Sequence, residues 1–218
     1  MKPFHIDVNS SQLSKSGNNV CGDVVLSRKV KDEQRTIITV SDGLGSGIKA
    51  NVLATLTASM AMNFTVEKQP IERSAKTIMS TLPIDSRRQI SYATFTIVDI
   101  DNGGETQIIE FDNPAFILFR KGKLLDIPKK DLSISLNDGS ERKMLFSQFT
   151  LEMDDRIVMV SDGVTQSGIG TTQMPFGFGC DSLNLFLSEQ IKEDNEISAH
   201  ELSRKVIRKA NENDIYKP

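Results

Sequence analysis

Two segments restrict this chain more than any other feature: Ile37-Ile38-Thr39-Val40-Ser41-Asp42-Gly43 and Ile157-Val158-Met159-Val160-Ser161-Asp162-Gly163. Each is an apolar, largely β-branched run that reads as a buried strand and stops at Ser-Asp-Gly. A strand that delivers a carboxylate at its end, with glycine where the backbone must turn, holds a negative group rigidly at the rim of a sheet. Asp-Gly is a common turn dipeptide, and one such segment alone reads as a turn or a helix cap. Two near-identical copies on apolar strands point instead to a shared site. A third carboxylate, Asp23 in Cys21-Gly22-Asp23-Val24-Val25, also stands beside glycine at the mouth of an expected strand.

If the three aspartates converge, their mutual repulsion calls for a divalent cation. The chain has two histidines, His5 and His200, outside any His-Glu-x-x-His pattern, and two cysteines, Cys21 and Cys180, without Cys-x-x-Cys spacing. Oxygen donors alone favour Mg²⁺ or Mn²⁺ over Zn²⁺. A carboxylate bridging two such ions about 3.5–4 Å apart would hold a water for in-line attack on a phosphoryl group, which is phosphoester hydrolysis. The stretch Asp42-Gly43-Leu44-Gly45-Ser46-Gly47-Ile48-Lys49 does not suit a nucleotide. It lacks the Gly-x-x-x-x-Gly-Lys-Ser/Thr order, and Ile48 stands where a dinucleotide fingerprint needs its third glycine. Lys49 reads as a solvated lysine.

Around these motifs the patterning predicts strands at Phe4–Val8, Val24–Leu26 and Arg35–Val40. Ile48, Val52, Leu56 and Met60 then recur at every fourth residue, so a helix to about Phe64 is expected to turn that stripe to the core. Pro70 opens a second helix with Ile71, Ala75, Ile78, Met79 and Leu82 on one face, closed by Pro83. Ile90–Ile100, Thr106–Phe111, Phe116–Arg120 and Leu124–Ile127 read as an antiparallel meander. The turn Asn137-Asp138-Gly139 and the segments Lys143–Leu151 and Arg156–Val160 extend it. Two helices follow, the second marked by the capping box Ser198-x-x-Glu201 ahead of Leu202, Val206, Ile207 and Ala210. The expectation is one α+β domain over residues 1–218, its helices packed on antiparallel sheet.

Lys and Arg number 26 against 29 Asp and Glu, giving 26 − 29 = −3 with the signs interspersed, so no basic footprint for nucleic acid or anionic lipid is present. No run approaches the ~18 apolar residues of a membrane span, and the first residues lack the apolar stretch of a signal peptide. With so few cysteines, a cytoplasmic location is expected.

The order of these motifs resembles the SpoIIE-like branch of the PPM, or type 2C, metal-dependent Ser/Thr protein phosphatases. Gly22-Asp23 is similar to the family's first Gly-Asp element, and Asp42-Gly43-Leu44-Gly45-Ser46-Gly47 to its Asp-Gly-(Met/His/Leu)-Gly-x-Gly signature. Phe111-Asp112-Asn113-Pro114-Ala115-Phe116-Ile117-Leu118, then Arg120-Lys121-Gly122, resembles its central hairpin, and Leu151-Glu152-Met153-Asp154-Asp155-Arg156 through Ser161-Asp162-Gly163-Val164 its second Asp-Gly strand.

The resemblance implies an αββα four-layer sandwich, two antiparallel sheets flanked by helix pairs, with two Mn²⁺ or Mg²⁺ ions. It implies that Asp42 bridges the ions, Gly43 gives its carbonyl, Asp23 acts through water and Asp162 ligates from the second sheet, with Asp42 and Asp162 serving catalysis. It also implies a phosphoserine or phosphothreonine protein substrate of partner-switching pathways, such as an anti-sigma factor antagonist, and a homodimer through the helices near 47–82. The family's closing Asp-Asp-x-Thr/Ser strand has no counterpart before Pro218, and Asp214 lacks its Asp neighbour. Hence the chain is expected to be shortened there, or to be a non-catalytic interaction module with a weakened metal site. Hydrolysis of small phosphoesters is a further alternative.

Overall fold

A computed structural model describes residues 5–14, 19–81, 94–136 and 139–215. The hairpin of β1 (Val24–Val30) and β2 (Arg35–Ser41) starts a six-stranded antiparallel sheet. With β3 (Phe95–Ile100), β4 (Glu105–Phe111), β7 (Lys130–Ser135) and β8 (Glu141–Thr150), its order is β1-β2-β3-β4-β8-β7. Every residue of β2 is buried, the apolar Ile37, Ile38 and Val40 together with Arg35, Thr36, Thr39 and Ser41. Helices α1 (Ile48–Val66) and α2 (Ile71–Thr81) pack on this sheet. Their core joins Ala61, Ala75, Ile78 and Met79 to Phe95, Ile97, Ile109 and Phe111. The face expected for α2 is the buried one; Leu82 and Pro83 lie outside the described residues.

The face expected for α1 is not, apart from Met60, which is half-buried against that core. Ile48, Val52 and Leu56 are 73%, 58% and 42% exposed, while Ala50, Ala54, Thr57, Ala58 and Ala61 are buried. Small side chains let the helix axis approach the strands, close enough for the Thr39 hydroxyl to donate to the Ala58 carbonyl at 3.3 Å. The large aliphatics are left outside by the same contact. Ala58→Leu is therefore expected to cost about 1–3 kcal/mol by overpacking, whereas Val52→Lys should change stability by no more than about 0.5 kcal/mol. Urea unfolding midpoints check this, and the reverse order would return the stripe to the core.

The contacts of the chain cluster into two units, one drawn from Ser14–Asn113 and Ile127–Leu151, the other from Ile6–Leu13, Pro114–Asp126 and Glu152–Pro218. In the second, β5 (Ile117–Arg120), β6 (Lys123–Leu125) and β9 (Arg156–Val158) form an antiparallel sheet of order β6-β5-β9. The short α3 (Asp162–Thr165) follows β9, and then α4 (Gly179–Glu193) and α5 (Ala199–Ile215). Ile117, Phe119 and Val160 pack there with Leu183 and Leu187 of α4 and Leu202, Val206 and Ala210 of α5. The Ser198 hydroxyl accepts the Glu201 amide at 3.1 Å, the serine half of the capping box. Arg120 forks onto Asp155 at 3.0 and 2.7 Å, tying the end of β5 to the turn before β9. Its guanidinium pKa is raised, first by those bonds.

Two antiparallel sheets with helices confirm the mixed architecture, but the meander is divided. β3–β4 belongs to one sheet and β5–β6 to the other. Asp112, left-handed at φ 53°, ends the β4 ladder just before Pro114, which cannot donate to a ladder. Strand β7 was not foreseen, and residues 5–8 form no strand. Phe4, residues 90–93 and the Asn137-Asp138 turn lie outside the described residues.

Candidate active site

Register brings the first carboxylates together. Val24 pairs with Ser41, and Val40 with Thr96. Continued in the same register, Asp23 falls opposite Asp42, one residue past the first ladder, and Asp42 opposite Thr94, two residues past the second, where the Thr94 amide donates to the Asp42 carbonyl at 3.0 Å. Directly opposed residues place their Cβ atoms about 4.5–5.5 Å apart. The alternation that sends Thr39 to α1 sends Ile38, Val40 and Asp42 to the other face of the sheet. The Ser41 hydroxyl donates to the Thr94 carbonyl at 2.7 Å, so both residues before Gly43 are tied to the start of β3.

Gly43 is packed against the first turn of α1: a Cβ there would lie 2.1 Å from the Ala50 carbonyl oxygen. The Gly22 segment runs alongside, with its Cβ direction 3.7 Å from the carbonyl oxygens of both Gly43 and Gly45. Asn51 donates from Nδ2 to the Cys21 carbonyl at 2.9 Å, pinning that segment to α1. Burial pushes the Cys21 thiol above its ordinary range, and the Asp23 and Asp42 carboxylates push it further. The oxygen donors beside Cys21 are two carboxylates and main-chain carbonyls. Their chemistry fits a hard cation such as Mg²⁺ or Mn²⁺. Among the described residues, no group of three or more His, Cys, Asp or Glu side chains is placed to hold a metal ion.

Asp162 belongs to the second unit, where it opens α3 and is exposed. Gln166 donates from Nε2 to its Oδ2 at 3.1 Å and from its amide to the Asp162 carbonyl at 2.7 Å. Gly177, at φ 86°, closes onto this turn; a Cβ there would lie 2.9 Å from Gln166 Cα. Asp214 has a structural partner, its Oδ1 accepting the Gly168 amide at 2.8 Å. Neighbouring Asn213 donates to the Ser167 hydroxyl at 3.0 Å. The structure thus gathers Asp23, Asp42 and Gly43 in one unit and places Asp162 in the other.

The profile of the SpoIIE family, described as Stage II sporulation protein E (SpoIIE), matches residues 32–215. The chain belongs to the SpoIIE family. No curated protein sequence matches it. Among solved structures, it is similar to the PP2C phosphatase domain with a fragment of the regulatory domain of SpoIIE from Bacillus subtilis (TM-score 0.74, 17% identity, covering 98% of this chain and 60% of that one). This SpoIIE-family chain thus spans 60% of that protein chain's length. It is also similar to RsbX in complex with magnesium (TM-score 0.62, 20% identity, 94% and 87% covered). A third likeness is to the RsbU and RsbW domains of a Mycobacterium tuberculosis protein (TM-score 0.58, 13% identity, 92% and 51% covered). The fold is that of PP2C phosphatase domains.

Sequence reasoning passed over Thr94 and Asn113 in this SpoIIE-family chain. Asn113 read only as hairpin punctuation, and Thr94 as one residue of a strand. The one signal available was that Asn113 precedes Pro114, which marks a break where an amide side chain can bond to neighbouring strands.

Proposed function

We propose that this chain is a metal-dependent phosphatase that hydrolyses phosphoserine or phosphothreonine in a regulatory phosphoprotein, residues 1–218 acting as one catalytic domain in the cytoplasm. The observation that carries this reading is the pair Asp23 and Asp42 on opposed rungs beside the Gly43 carbonyl, in a chain of the SpoIIE family. Asp42, the Gly43 carbonyl and Asp23 are the groups that would hold Mn²⁺ or Mg²⁺, two ions being expected from the family resemblance, and Asp162 is the further ligand expected from its own Ser-Asp-Gly motif. When bound, the ions supply Lewis acidity and neutralise phosphoryl charge. The chain's own part is to hold these oxygens in place: Thr94 and Ser41 hold the end of β2, and Asn51 holds the Cys21–Asp23 segment.

The likeness to RsbU and RsbW domains supports a substrate from a partner-switching pathway, such as an antagonist of an anti-sigma factor. The exposed Ile48, Val52 and Leu56 on α1 support a homodimer through the helices near 47–82. Among the described residues, no helix is long and apolar enough to cross a membrane.

The test is phosphate release from a phosphoserine protein and from an aryl phosphate, with Mn²⁺ and with chelator, beside a calorimetric Mn²⁺ titration. Manganese-dependent release with two occupied sites is expected. Neither release nor binding would replace the phosphatase with the non-catalytic interaction module.

A further inference from the structure

We infer that Thr94 and Asn113 form a clasp that positions the Asp42–Gly43 main chain, and that both are positioning residues for metal binding; this rests on the phosphatase reading above. All three polar groups of Thr94 are engaged. Its amide donates to the Asp42 carbonyl at 3.0 Å, its carbonyl accepts the Ser41 hydroxyl at 2.7 Å, and its own hydroxyl donates to Asn113 Oδ1. Asn113 completes the circuit by donating from Nδ2 to the hydroxyl of buried Thr96 at 3.0 Å. One amide side chain therefore spans the first and third residues of Thr94-Phe95-Thr96, and through Thr94 it bears on the residue carrying the proposed bridging carboxylate.

The location gives the clasp its purpose. Asp42 and Thr94 both lie two residues beyond the last pair of the β2–β3 ladder, Val40 with Thr96, where regular strand pairing no longer fixes the chain. Asn113 sits past the end of β4, immediately after left-handed Asp112. It reaches back to the β3 side at the point where the ladders stop. Side-chain bonds thus replace the missing rungs, and they do so beside oxygens whose placement must hold to within about 0.5 Å for ligation.

Partners one bond removed from a metal ligand commonly change affinity about 10–100-fold when removed. Thr94→Val keeps the shape and both main-chain bonds but deletes the hydroxyl, leaving Asn113 Oδ1 without its donor; Asn113→Ala removes the other half. Calorimetric Mn²⁺ titration of the full chain is expected to show affinity weakened about tenfold or more in each variant. The double variant should be no weaker than the worse single one, because both remove one device. Thr94→Ser, which keeps the hydroxyl, should bind within about twofold of wild type. The KM for the phosphoprotein should stay unchanged.

Wild-type affinity in Thr94→Val, with wild type itself binding Mn²⁺, would overturn the clasp and leave the phosphatase reading standing. A wild-type chain that binds no Mn²⁺ would overturn both. Should Asn113→Ala unfold, the comparison of Thr94→Val with Thr94→Ser decides the matter, since the two differ at the hydroxyl while leaving every main-chain bond in place.

Discussion

Gly43→Ala is expected to destabilise the first unit by about 3 kcal/mol, the upper end of overpacking penalties, and to remove metal-dependent turnover with it. An alanine Cβ would fall 2.1 Å from the Ala50 carbonyl oxygen, 2.6 Å from its carbon and 2.9 Å from Ala50 Cα. All three are backbone atoms, so no rotamer change relieves the clash. Relief requires α1 to shift or the Asp42–Gly43 segment to lift. The first breaks the Asn51–Cys21 bond and the second strains the Thr94–Asp42 bond. Close-packed interiors transmit such displacements. Gly22→Ala is the matched control: its nearest atom would be the Ala50 Cβ at 3.4 Å, an ordinary contact. Urea unfolding should separate the two by about 3 kcal/mol, and equal midpoints would show that Gly43 is not held against α1 as described.

The contrast between these glycines shows where sequence was informative. Ser41-Asp42-Gly43 and Gly22-Asp23 were legible because strand patterning and glycine punctuation are local, and register then does the rest: once Val24 pairs with Ser41, Asp23 must face Asp42. Helix α2 and the capped α5 were legible because their large apolar residues are the ones buried. The extent of α1 was legible but its buried face was not, because Ile48, Val52 and Leu56 form as regular a stripe as Ala50, Ala54, Ala58 and Ala61. Only the neighbouring strands decide which face packs, and here close approach favours alanine over size. The change of sheet at Asn113-Pro114 was hidden because a break in a ladder and a hairpin turn use the same residues. The Thr94–Asn113 clasp was hidden because it joins two positions that only tertiary structure brings together. Asp162 was legible as a motif, and the structure adds its local setting at the start of α3.

Asp42→Asn is expected to lower metal-dependent phosphate release by at least about 1000-fold, equivalent to about 4 kcal/mol of barrier, while the fold survives. The two expectations separate because the substitution keeps the side chain's shape and leaves the Asp42 carbonyl free to accept the Thr94 amide. It also removes one of two like charges on opposed rungs, a change worth no more than about 1 kcal/mol of stability. Metal linkage supplies the third readout. A ligand at about 100 times its Kd stabilises the folded state by about 2.7 kcal/mol. For a chain of this size that raises Tm by about 5–11 °C. Wild type should show that rise on adding Mn²⁺, and Asp42→Asn should not, since an amide oxygen replaces the charged donor. Loss of turnover with the Mn²⁺-induced Tm rise intact would mean that Asp42 serves the reaction without holding the ions. Retained turnover would remove the bridging role, and with it the reason for pairing Asp23 and Asp42 across the hairpin.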